Sequence, residues 1–480
     1  MLDVGYWNLT SPSFNSIKAK SFNPVAAFAL AFGLFLGLAI LKFGNPVILD
    51  QKIIPPASFS DFLTDFWPTH WAVWMGLPFA LVGGWLIYQR KLQFPAKFWL
   101  WFLPLLWLGW QFVSALTSVD PILTLSTLPQ FGGCVALYFL GACLFNRSTL
   151  MRWLLAGILA AFTFCLMRGV EQRLYEFPAN YANLEDGEKT QWTNMPPALV
   201  YELKQESIIV NTNGIDVANP VILAKFAKGR VYGTLVYPNA LAGIILLLLP
   251  AAFIISFNDT KSLKPTIRWA VVGLTAGLGA TAFVFTGSKL GWLLALALSG
   301  LMLFRLNWST RLKWLSLAMV LTVGLGIFAV RFHNYFAAGA TSAGARFDYW
   351  RAAIQTFQAN PALGTGPGTF QRPYARLKSP DAEMARLTHN DYLEQFSDSG
   401  LVGGLAYLAW ITLALTMVSR RLWTHGDYLS VALFAGVLAW FVQGLGEFSL
   451  YIPALAWTAF TLLGCLVGHS ANEFDKKSNN

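Results

Sequence analysis

About twelve long apolar runs divide this chain, and they constrain its fold more than any other feature of the sequence. A helix needs about 20 mostly apolar residues to cross the hydrocarbon core of a bilayer. Only 12% of the 480 residues are charged, about half the share that is usual in a soluble domain. The sequence therefore predicts an all-α polytopic integral membrane protein. The predicted transmembrane helices are residues 25–43, 71–88, 98–116, 129–145, 153–169, 239–257, 268–286, 289–304, 313–331, 398–418, 428–446 and 451–468.

The Lys and Arg residues of the short connections predict the orientation of these helices. One alternate set of connections holds almost all of them, and the opposite set holds little more than Lys52. Because cytoplasmic loops are enriched in Lys and Arg, both termini are predicted to be cytoplasmic. The first 24 residues are polar, so the run after them is expected to be an uncleaved first helix. The basic residues of the cytoplasmic set are Lys18, Lys20, Arg90, Lys91, Lys97, Arg147, Arg152, Lys261, Lys264, Arg268, Arg305, Arg311, Lys313, Arg420, Arg421, Lys476 and Lys477.

Two long polar connections then fall outside the membrane and divide the chain into five parts. Loops of this length are usually functional or disordered, and the aromatic content of these two favours order. The parts are N-terminal transmembrane helices in 1–169, a first long loop in 170–238, central transmembrane helices in 239–331, a second long loop in 332–397, and C-terminal transmembrane helices with a cytoplasmic tail in 398–480.

Local patterns predict ordered elements within both loops. In the first loop, Ser207–Val210 is predicted to pair as a short strand. The second loop has a helical pattern from Ala343 to Gln358 and then the glycine-rich turn Gly364-Thr-Gly-Pro-Gly368. A polar helix is predicted from about Pro380 to Ser397, ended by Gly400.

Several classes of function are disfavoured. The net charge of +10 is spread between apolar runs rather than gathered in a stripe, as nucleic-acid binding would require. No D-x-D occurs, which disfavours a nucleotide-sugar enzyme that uses a divalent ion, and no Walker A sequence occurs. Charged residues within the predicted spans are few, which disfavours ion pumping. The cysteines lie in apolar runs without a C-x-x-C pair, so the pattern predicts neither a zinc site nor a disulfide framework. They are Cys134, Cys143, Cys165 and Cys465.

The second long loop holds the densest set of reactive side chains. In the predicted helix, Arg386, His389 and Asn390 would share one face at positions i, i+3 and i+4. A histidine is the side chain best able to accept a proton near neutral pH, although a surface histidine on an amphipathic helix would give the same pattern. No carboxylate lies three or four positions from His389. An acid that orients its ring would therefore have to come from elsewhere in the fold.

Arginines crowd the same loop, and guanidinium groups bind phosphate oxygens through two hydrogen bonds. The loop therefore suits an anionic ligand near the membrane surface. The alternative is contact with anionic lipid headgroups. The basic residues are Arg346, Arg351, Arg372, Arg376, Lys378 and Arg386.

Two further cations lie at the outer ends of predicted helices. Arg230 precedes the span that begins near Asn239, and Lys289 sits in a tight turn between two apolar runs. A cation at membrane depth usually faces a cavity or an anionic partner, although Lys289 could also extend to the interface. Pro238 and Asn239 would start a helix, whose free backbone N–H groups also favour an anion.

At these residues the sequence resembles the O-antigen ligase and O-antigen polymerase family. The resemblance covers about 225–410, and the order of its motifs makes it more specific than any single one. The matching motifs are Arg230-x-x-Gly233, Pro238-Asn239-x-x-Ala242, Thr286-Gly-Ser288-Lys289-x-Gly291, Gly344-x-Arg346-x-x-x-Trp350, Pro361-x-x-Gly364-x-Gly366-x-Gly368-x-Phe370, His389-Asn390-x-x-Leu393 and Gly400-Leu401-x-Gly403.

The resemblance implies a glycosyltransferase of the bacterial inner membrane that needs no cofactor or metal and inverts the sugar. Its active side would face the periplasm. Its donor would be a glycan on undecaprenyl diphosphate, and its acceptor either lipid A–core, for a ligase, or a growing glycan, for a polymerase. Arg230 and Lys289 would hold the diphosphate, and His389 would serve the acceptor hydroxyl. The family often has Arg at the position of Lys289, and Lys keeps the charge but loses the forked geometry.

The predicted site combines the residues indicated by charge and by motif. The substrate-binding set is Lys289, Arg346, Arg386, Asn239, Asn390 and Arg372, with His389 and Arg230 as catalytic residues. Of the two activities, ligase is slightly favoured over polymerase. A flippase or exporter of lipid-linked glycans predicts cations inside the spans, and few occur there. The third reading is a non-catalytic assembly or lipid-binding protein.

Overall fold

The computed structural model describes residues 23–92, 94, 97–337 and 339–478, and most of this chain is helical. Among the described residues, nine helices are long and apolar enough to cross a membrane, and three shorter apolar helices accompany them. Each predicted transmembrane run coincides with one of these helices. The runs 129–145 and 153–169 prove to be parts of helices of 24 residues each. The prediction of an all-α polytopic membrane protein is confirmed.

The elements follow one another along the chain with short connections. The α-helices are α1 (Pro24–Lys42), α2 (Phe59–Thr64), α3 (Thr69–Gln89), α4 (Trp99–Ala115), α5 (Pro121–Leu144), α6 (Ser148–Glu171), α7 (Phe177–Lys189), α8 (Pro197–Gln205), α9 (Pro220–Lys228), α10 (Pro238–Asp259), α11 (Pro265–Thr286), α12 (Lys289–Leu303), α13 (Thr310–Ala337), α14 (Thr341–Ala359), α15 (Gln371–Leu377), α16 (Asp391–His425), α17 (Tyr428–Gln443) and α18 (Pro453–Ser478). The other elements are 3₁₀ turns at Val47–Lys52 and Ser449–Tyr451, a π-helical turn at Gln172–Glu176, and strands β1 (Ile209–Thr212) and β2 (Ile215–Ala218).

Glycines allow the central helices of the bundle to pack with their backbones close together. A Cβ atom on Gly157 of α6 would lie 2.4 Å from the backbone nitrogen of Leu34 on α1. A Cβ atom on Gly464 of α18 would lie 2.0 Å from the backbone oxygen of Tyr138 on α5. Small residues serve this purpose at helix contacts in membranes, where lipid provides no hydrophobic drive for association.

The first long connection is more ordered than its sequence indicated. Helix continues without interruption from Ser148 to Lys189, so α6 runs past residue 169 and joins α7 through the π-helical turn. The predicted strand appears slightly later, as β1, and pairs with β2 in an antiparallel hairpin. Asn213 and Gly214 at its turn both have positive φ, as a two-residue hairpin turn requires.

The second long connection corrects one prediction. Helix α14 matches the predicted segment closely. The helix predicted from Pro380 to Ser397 is wrong over residues 380–390, which are irregular, and only its part from Asp391 onward is helical. Asn390 accepts hydrogen bonds from the backbone of Tyr392 and Leu393, and so caps a helix that begins at Asp391 and continues through the membrane. His389 has a φ of 51°, in the left-handed region. Arg386, His389 and Asn390 therefore do not share a helix face.

Gly400 interrupts α16 rather than ending it. It has φ 65° and ψ −162°, outside the helical range. The glycine-rich segment 364–368 packs against this break, where the backbone of Gly366 donates to the carbonyl oxygen of Asp398 at 2.8 Å. The Asp398 carboxylate accepts from the backbone of Gly368 at 2.7 Å. A Cβ atom on Gly364 would lie 2.3 Å from the Asp398 backbone, so these glycines serve close backbone packing between the loop and α16.

Candidate functional site

Both long connections, residues 172–237 and 339–390, meet at one end of the bundle, which is called the loop end here. A fully buried carboxylate, Glu447, lies at their meeting point in the short segment between α17 and α18. One of its oxygens accepts from Arg346 Nη2 at 2.6 Å and from Asn239 Nδ2 at 2.7 Å. The other accepts from the Tyr237 hydroxyl at 3.2 Å. A buried charge is stable only when it is paired and hydrogen-bonded in this way.

The side chains that contact Glu447 lie on different elements of the fold. Asn239 comes from the first turn of α10, Arg346 from α14, and Tyr237 from the residue before α10. Asp391, the first residue of α16, holds the segment that carries Glu447. Its backbone nitrogen donates to Gly444 at 2.7 Å and to the carbonyl oxygen of Glu447 at 3.2 Å.

The carboxylate of Asp391 completes this attachment by accepting from the backbone nitrogen of Leu450. Asp391 is therefore a positioning residue for Glu447. Burial and the neighbouring Glu447 raise the pKa of the Tyr237 hydroxyl, so Tyr237 stays a neutral hydrogen-bond donor to that carboxylate at physiological pH.

Arg230 lies next to this carboxylate but is held by neutral oxygens. Its Nε donates to the carbonyl oxygen of Thr286 at 2.8 Å, and its Nη2 donates to Asn239 Oδ1 at 2.9 Å. Asn239 thus links Arg230 to Glu447. Burial lowers the pKa of Arg230, Glu447 opposes that shift and Arg346 adds to it. An arginine remains charged at neutral pH nonetheless.

Lys289 is the first residue of α12 and is half-buried beside these arginines. Its Nζ lies 3.8 Å from the centre of the Tyr335 ring and 5.4 Å from that of Phe332, both on α13. Within the part of the chain that the structure describes, the ammonium contacts these rings and forms no ion pair. Aromatic rings stabilise a cation without neutralising it. Lys289 thus brings a positive charge that none of the described carboxylates pairs with.

His389 completes the group. Its ring stacks on Tyr349 with centroids 5.7 Å apart and meets the edge of Phe448 at 4.7 Å. Its Nδ1 is buried and lies 3.6 Å from Glu447, just beyond hydrogen-bond distance. The left-handed backbone at His389 is a costly conformation that clusters at functional sites. A histidine with one nitrogen facing a carboxylate is oriented to use the other as a base.

The remaining predicted site residues lie apart from Glu447. Asn390 uses its side chain to cap α16. Arg372 pairs with Asp120 at the start of α5, with its nitrogen 2.6 Å from the carboxylate oxygen. Arg386 is exposed in the irregular segment before α16. Among the described contacts, none joins these three side chains to Glu447.

Glu447 itself is the residue that sequence reasoning missed. It directly follows the predicted span 428–446, so an acidic residue at membrane depth was visible in the sequence, and such residues are usually functional. Tyr237 and Tyr349 were missed as well, because aromatic residues are common throughout the chain. The group now called the Glu447 cluster comprises Glu447, Arg346, Asn239, Arg230, Tyr237, His389 and Lys289.

The arrangement combines two chemical capacities. Among the described residues, the three cations Arg230, Arg346 and Lys289 outnumber the carboxylates of Glu447 and the neighbouring Asp391, so the site has an excess of positive charge that favours an anion. His389 beside Glu447 can accept a proton and hold the resulting charge. Fixed cations next to an oriented base suit a reaction in which an anionic leaving group departs from a carbon that a hydroxyl attacks.

Comparison with known proteins gives two matches. Residues 274–408 match the family model described as O-antigen ligase. This match includes Lys289, Arg346 and His389, and it ends before Glu447. The chain is also similar to an uncharacterized protein of Haemophilus influenzae, with 32% identity over 91 residues. The aligned stretch is 18% of this chain and spans only 23% of the length of that relative.

Proposed function

We propose, on the premise that residues 274–408 belong to the O-antigen ligase and polymerase family, that the chain is an inverting glycosyltransferase of the bacterial inner membrane. It moves a glycan from undecaprenyl diphosphate to an acceptor on the periplasmic face, with lipid A–core as the favoured acceptor. The family supports a membrane glycan-transfer role. The donor, the acceptor and the mechanism are our proposal, and the observation that carries them is the Glu447 cluster.

The cations of the cluster act on the leaving group. When the bond between the sugar C1 and the diphosphate oxygen breaks, its electron pair stays on the diphosphate. Arg230, Arg346 and Lys289 stabilise the negative charge that develops there, and they are in place before the reaction begins. Arg346 is held by Glu447 at 2.6 Å, so it has little reorganisation to undergo. No metal is needed for this step in our scheme.

His389 acts on the acceptor. The acceptor hydroxyl attacks C1 from the face opposite the diphosphate, which inverts the configuration at that carbon. Its proton passes to the free nitrogen of His389, and Glu447 stabilises the imidazolium that forms. A modest base is enough, because the sugar becomes electrophilic and oxocarbenium-like as the leaving group departs.

The proposal predicts that His389→Ala and Arg230→Ala each lower glycan transfer by the purified protein at least about 100-fold, the lower end for loss of a general base in the first case and of a fixed charge-stabilising group in the second. Arg351→Ala is the matched control, since Arg351 is exposed and pairs with Asp348 on its own helix. Transfer is measured with lipid-linked glycan and acceptor in the presence of EDTA. Near-normal rates in both variants would contradict the roles of these residues, and strict dependence on added magnesium would contradict the metal-free scheme.

Deletion of the gene separates ligase from polymerase. A ligase predicts lipopolysaccharide with an intact core and no glycan ladder on a gel. A polymerase of the same family predicts core that bears a single repeat unit. An unchanged glycan ladder after the deletion would contradict both the ligase and the polymerase activity.

A further inference from the structure

Two fully buried carboxyl groups on α16, those of Glu394 and Asp398, lie outside the Glu447 cluster. They occupy positions i and i+4, so their side chains emerge on the same face of the helix. Within the described part of the chain, neither forms an ion pair with a lysine, arginine or histidine. A buried carboxylate without a cation is costly unless it is neutralised in another way.

One oxygen of Glu394 holds the residue that precedes His389. It accepts from the backbone nitrogen of Thr388 at 2.9 Å and from the Thr388 hydroxyl at 2.8 Å. The same hydroxyl accepts from the backbone nitrogen of Asn390 at 3.2 Å. Thr388 thus links the residues on both sides of His389 to Glu394. These bonds hold the backbone that gives His389 its left-handed conformation.

Asp398 holds a different part of the second long connection, the glycine-rich segment 364–368. Its Oδ2 accepts from the backbone nitrogen of Gly368 at 2.7 Å and from the Tyr451 hydroxyl at 3.1 Å. The Tyr451 hydroxyl in turn accepts from Gln395 Nε2 at 3.2 Å. The two carboxyl groups therefore attach both the glycine-rich segment and the residues around the histidine to one face of α16.

Each carboxyl group also has a second oxygen that lacks a partner. Glu394 Oε1 and Asp398 Oδ1 are buried, and no described group donates a hydrogen bond to either. The nearby acid Asp391 is engaged with the backbone nitrogen of Leu450. One proton between the two carboxyl groups would satisfy both oxygens, because one oxygen would donate it and the other would accept it. It would also prevent two neighbouring carboxyl groups from being ionised together, which is unfavourable.

We propose that Glu394 and Asp398 share one proton and that the pair positions His389. The inference rests on the proposed function, in which His389 accepts the proton of the acceptor hydroxyl. The pair as a whole carries one negative charge, which the donors from Thr388 and Gly368 stabilise. The shared proton stays between the two carboxyl groups throughout the reaction. Neither group touches the substrate, so both are positioning residues.

Amide substitutions test the shared proton, because an amide has the shape of a protonated carboxyl group. In Glu394→Gln or Asp398→Asn the amide N–H can donate to the carboxylate that remains. We expect each single variant to keep kcat within about threefold of the wild type. In the double variant two amide NH₂ groups face each other without an acceptor, so we expect kcat to fall about 30-fold, a strongly non-additive effect. The KM for the donor should stay unchanged, because the cations of the Glu447 cluster hold the diphosphate. Normal kcat in the double variant would overturn the proposal.

Thr388→Val tests the link between the pair and His389. Valine resembles threonine in shape but lacks the hydroxyl, whereas Thr388→Ser keeps the hydroxyl and is the matched control. We expect Thr388→Val to lower kcat about tenfold without a change in KM, the effect of losing one hydrogen bond to a charged group. Thr388→Ser should stay near the wild type. Equal kcat values for the two variants would overturn the positioning role, and they decide the question if the double amide variant melts early.

Infrared spectroscopy of the detergent-purified protein at neutral pH detects the shared proton without any transfer assay. A protonated carboxylic acid has a C=O band separate from the carboxylate bands. We expect the difference spectrum between the wild type and Glu394→Gln to show loss of one carboxylic acid band, and the double variant to lose no more of that band. Loss of carboxylate bands alone, or a further loss of acid band in the double variant, would overturn the shared proton.

Failure of this inference and failure of the proposed function give different results. Absence of transfer by the wild-type protein would count against the proposed function, and the infrared result would still decide whether the proton is shared. Transfer by the wild-type protein, together with normal kcat in the double amide variant, would overturn the pair and leave the proposed function standing.

Discussion

At the scale of residues, Glu447 decides which of the candidate side chains act together. It contacts Arg346, Asn239 and Tyr237 directly and lies 3.6 Å from His389. Among the described contacts, Asn390 and Arg372 do not reach Glu447, and Asn390 instead caps α16. In the proposed mechanism, this carboxylate both holds Arg346 and orients His389 as the base.

Glu447→Gln tests this double role. The amide keeps the shape of the side chain but lacks the charge that pairs Arg346 and stabilises a protonated His389. We expect kcat to fall about 100-fold, within the range for an impaired general base, while the folded protein persists. Glu447→Ala should in addition lower folding stability by about 3–5 kcal/mol, because it leaves Arg346 without its buried partner.

The measurements are transfer rate and Tm in detergent. Glu185→Gln serves as the control, since Glu185 forms an exposed pair with Lys189 on α7. A Glu447→Gln protein with normal kcat would show that the carboxylate has only a structural role.

At the scale of elements, the break in α16 matters most. The segment between α14 and α15 occupies the gap at Gly400, where the backbone of Leu401 donates to the carbonyl oxygen of Pro361 at 2.8 Å. This contact ties the second long connection to the helix that follows His389. The conformation of the connection and the break in α16 are thus stabilised by the same backbone hydrogen bonds.

Gly400→Ala should disrupt this arrangement. A Cβ atom there would lie 2.3 Å from the Ala362 carbonyl oxygen, and the φ of 65° is unfavourable for alanine. We expect a loss of stability of about 1–3 kcal/mol and a fall in transfer activity. Gly109→Ala on α4 is the control, because that glycine has open space around its Cβ position and alanine favours a helix. Equal Tm values for the two variants would contradict the role of the break.

At the scale of the whole molecule, the orientation of the bundle follows from the distribution of charge between its two ends. The Lys and Arg of the short connections predict that the loop end faces away from the cytoplasm. Two of these residues, Lys18 and Lys20, lie outside the described part of the chain. The hairpin of β1 and β2 belongs to the loop end, and the turn between α10 and α11 belongs to the opposite end.

Cysteine labelling in intact cells tests this orientation. The native residues Cys134, Cys143, Cys165 and Cys465 are buried and free, so they should give little background. Asn213→Cys in the hairpin turn should react with a membrane-impermeant maleimide once the outer membrane is permeabilised. Ser262→Cys, which is exposed in the turn between α10 and α11, should react only after cell lysis. The reverse pattern would invert the topology and move the Glu447 cluster to the cytoplasmic side.

The sequence by itself determined the membrane class and, within the described residues, the positions of the long apolar helices. These properties depend on interactions of each segment with lipid and water, so they can be read from consecutive residues. Only the tertiary structure decided which candidates meet. Tyr237 and Arg346 contact Glu447 across 210 and 101 positions of the chain, and no local pattern contains such distances. The predicted helix over 380–397 was wrong in its first part, residues 380–390, for a related reason. A cap at Asn390 and a left-handed His389 override helical periodicity, and contacts made elsewhere in the fold hold both residues in place.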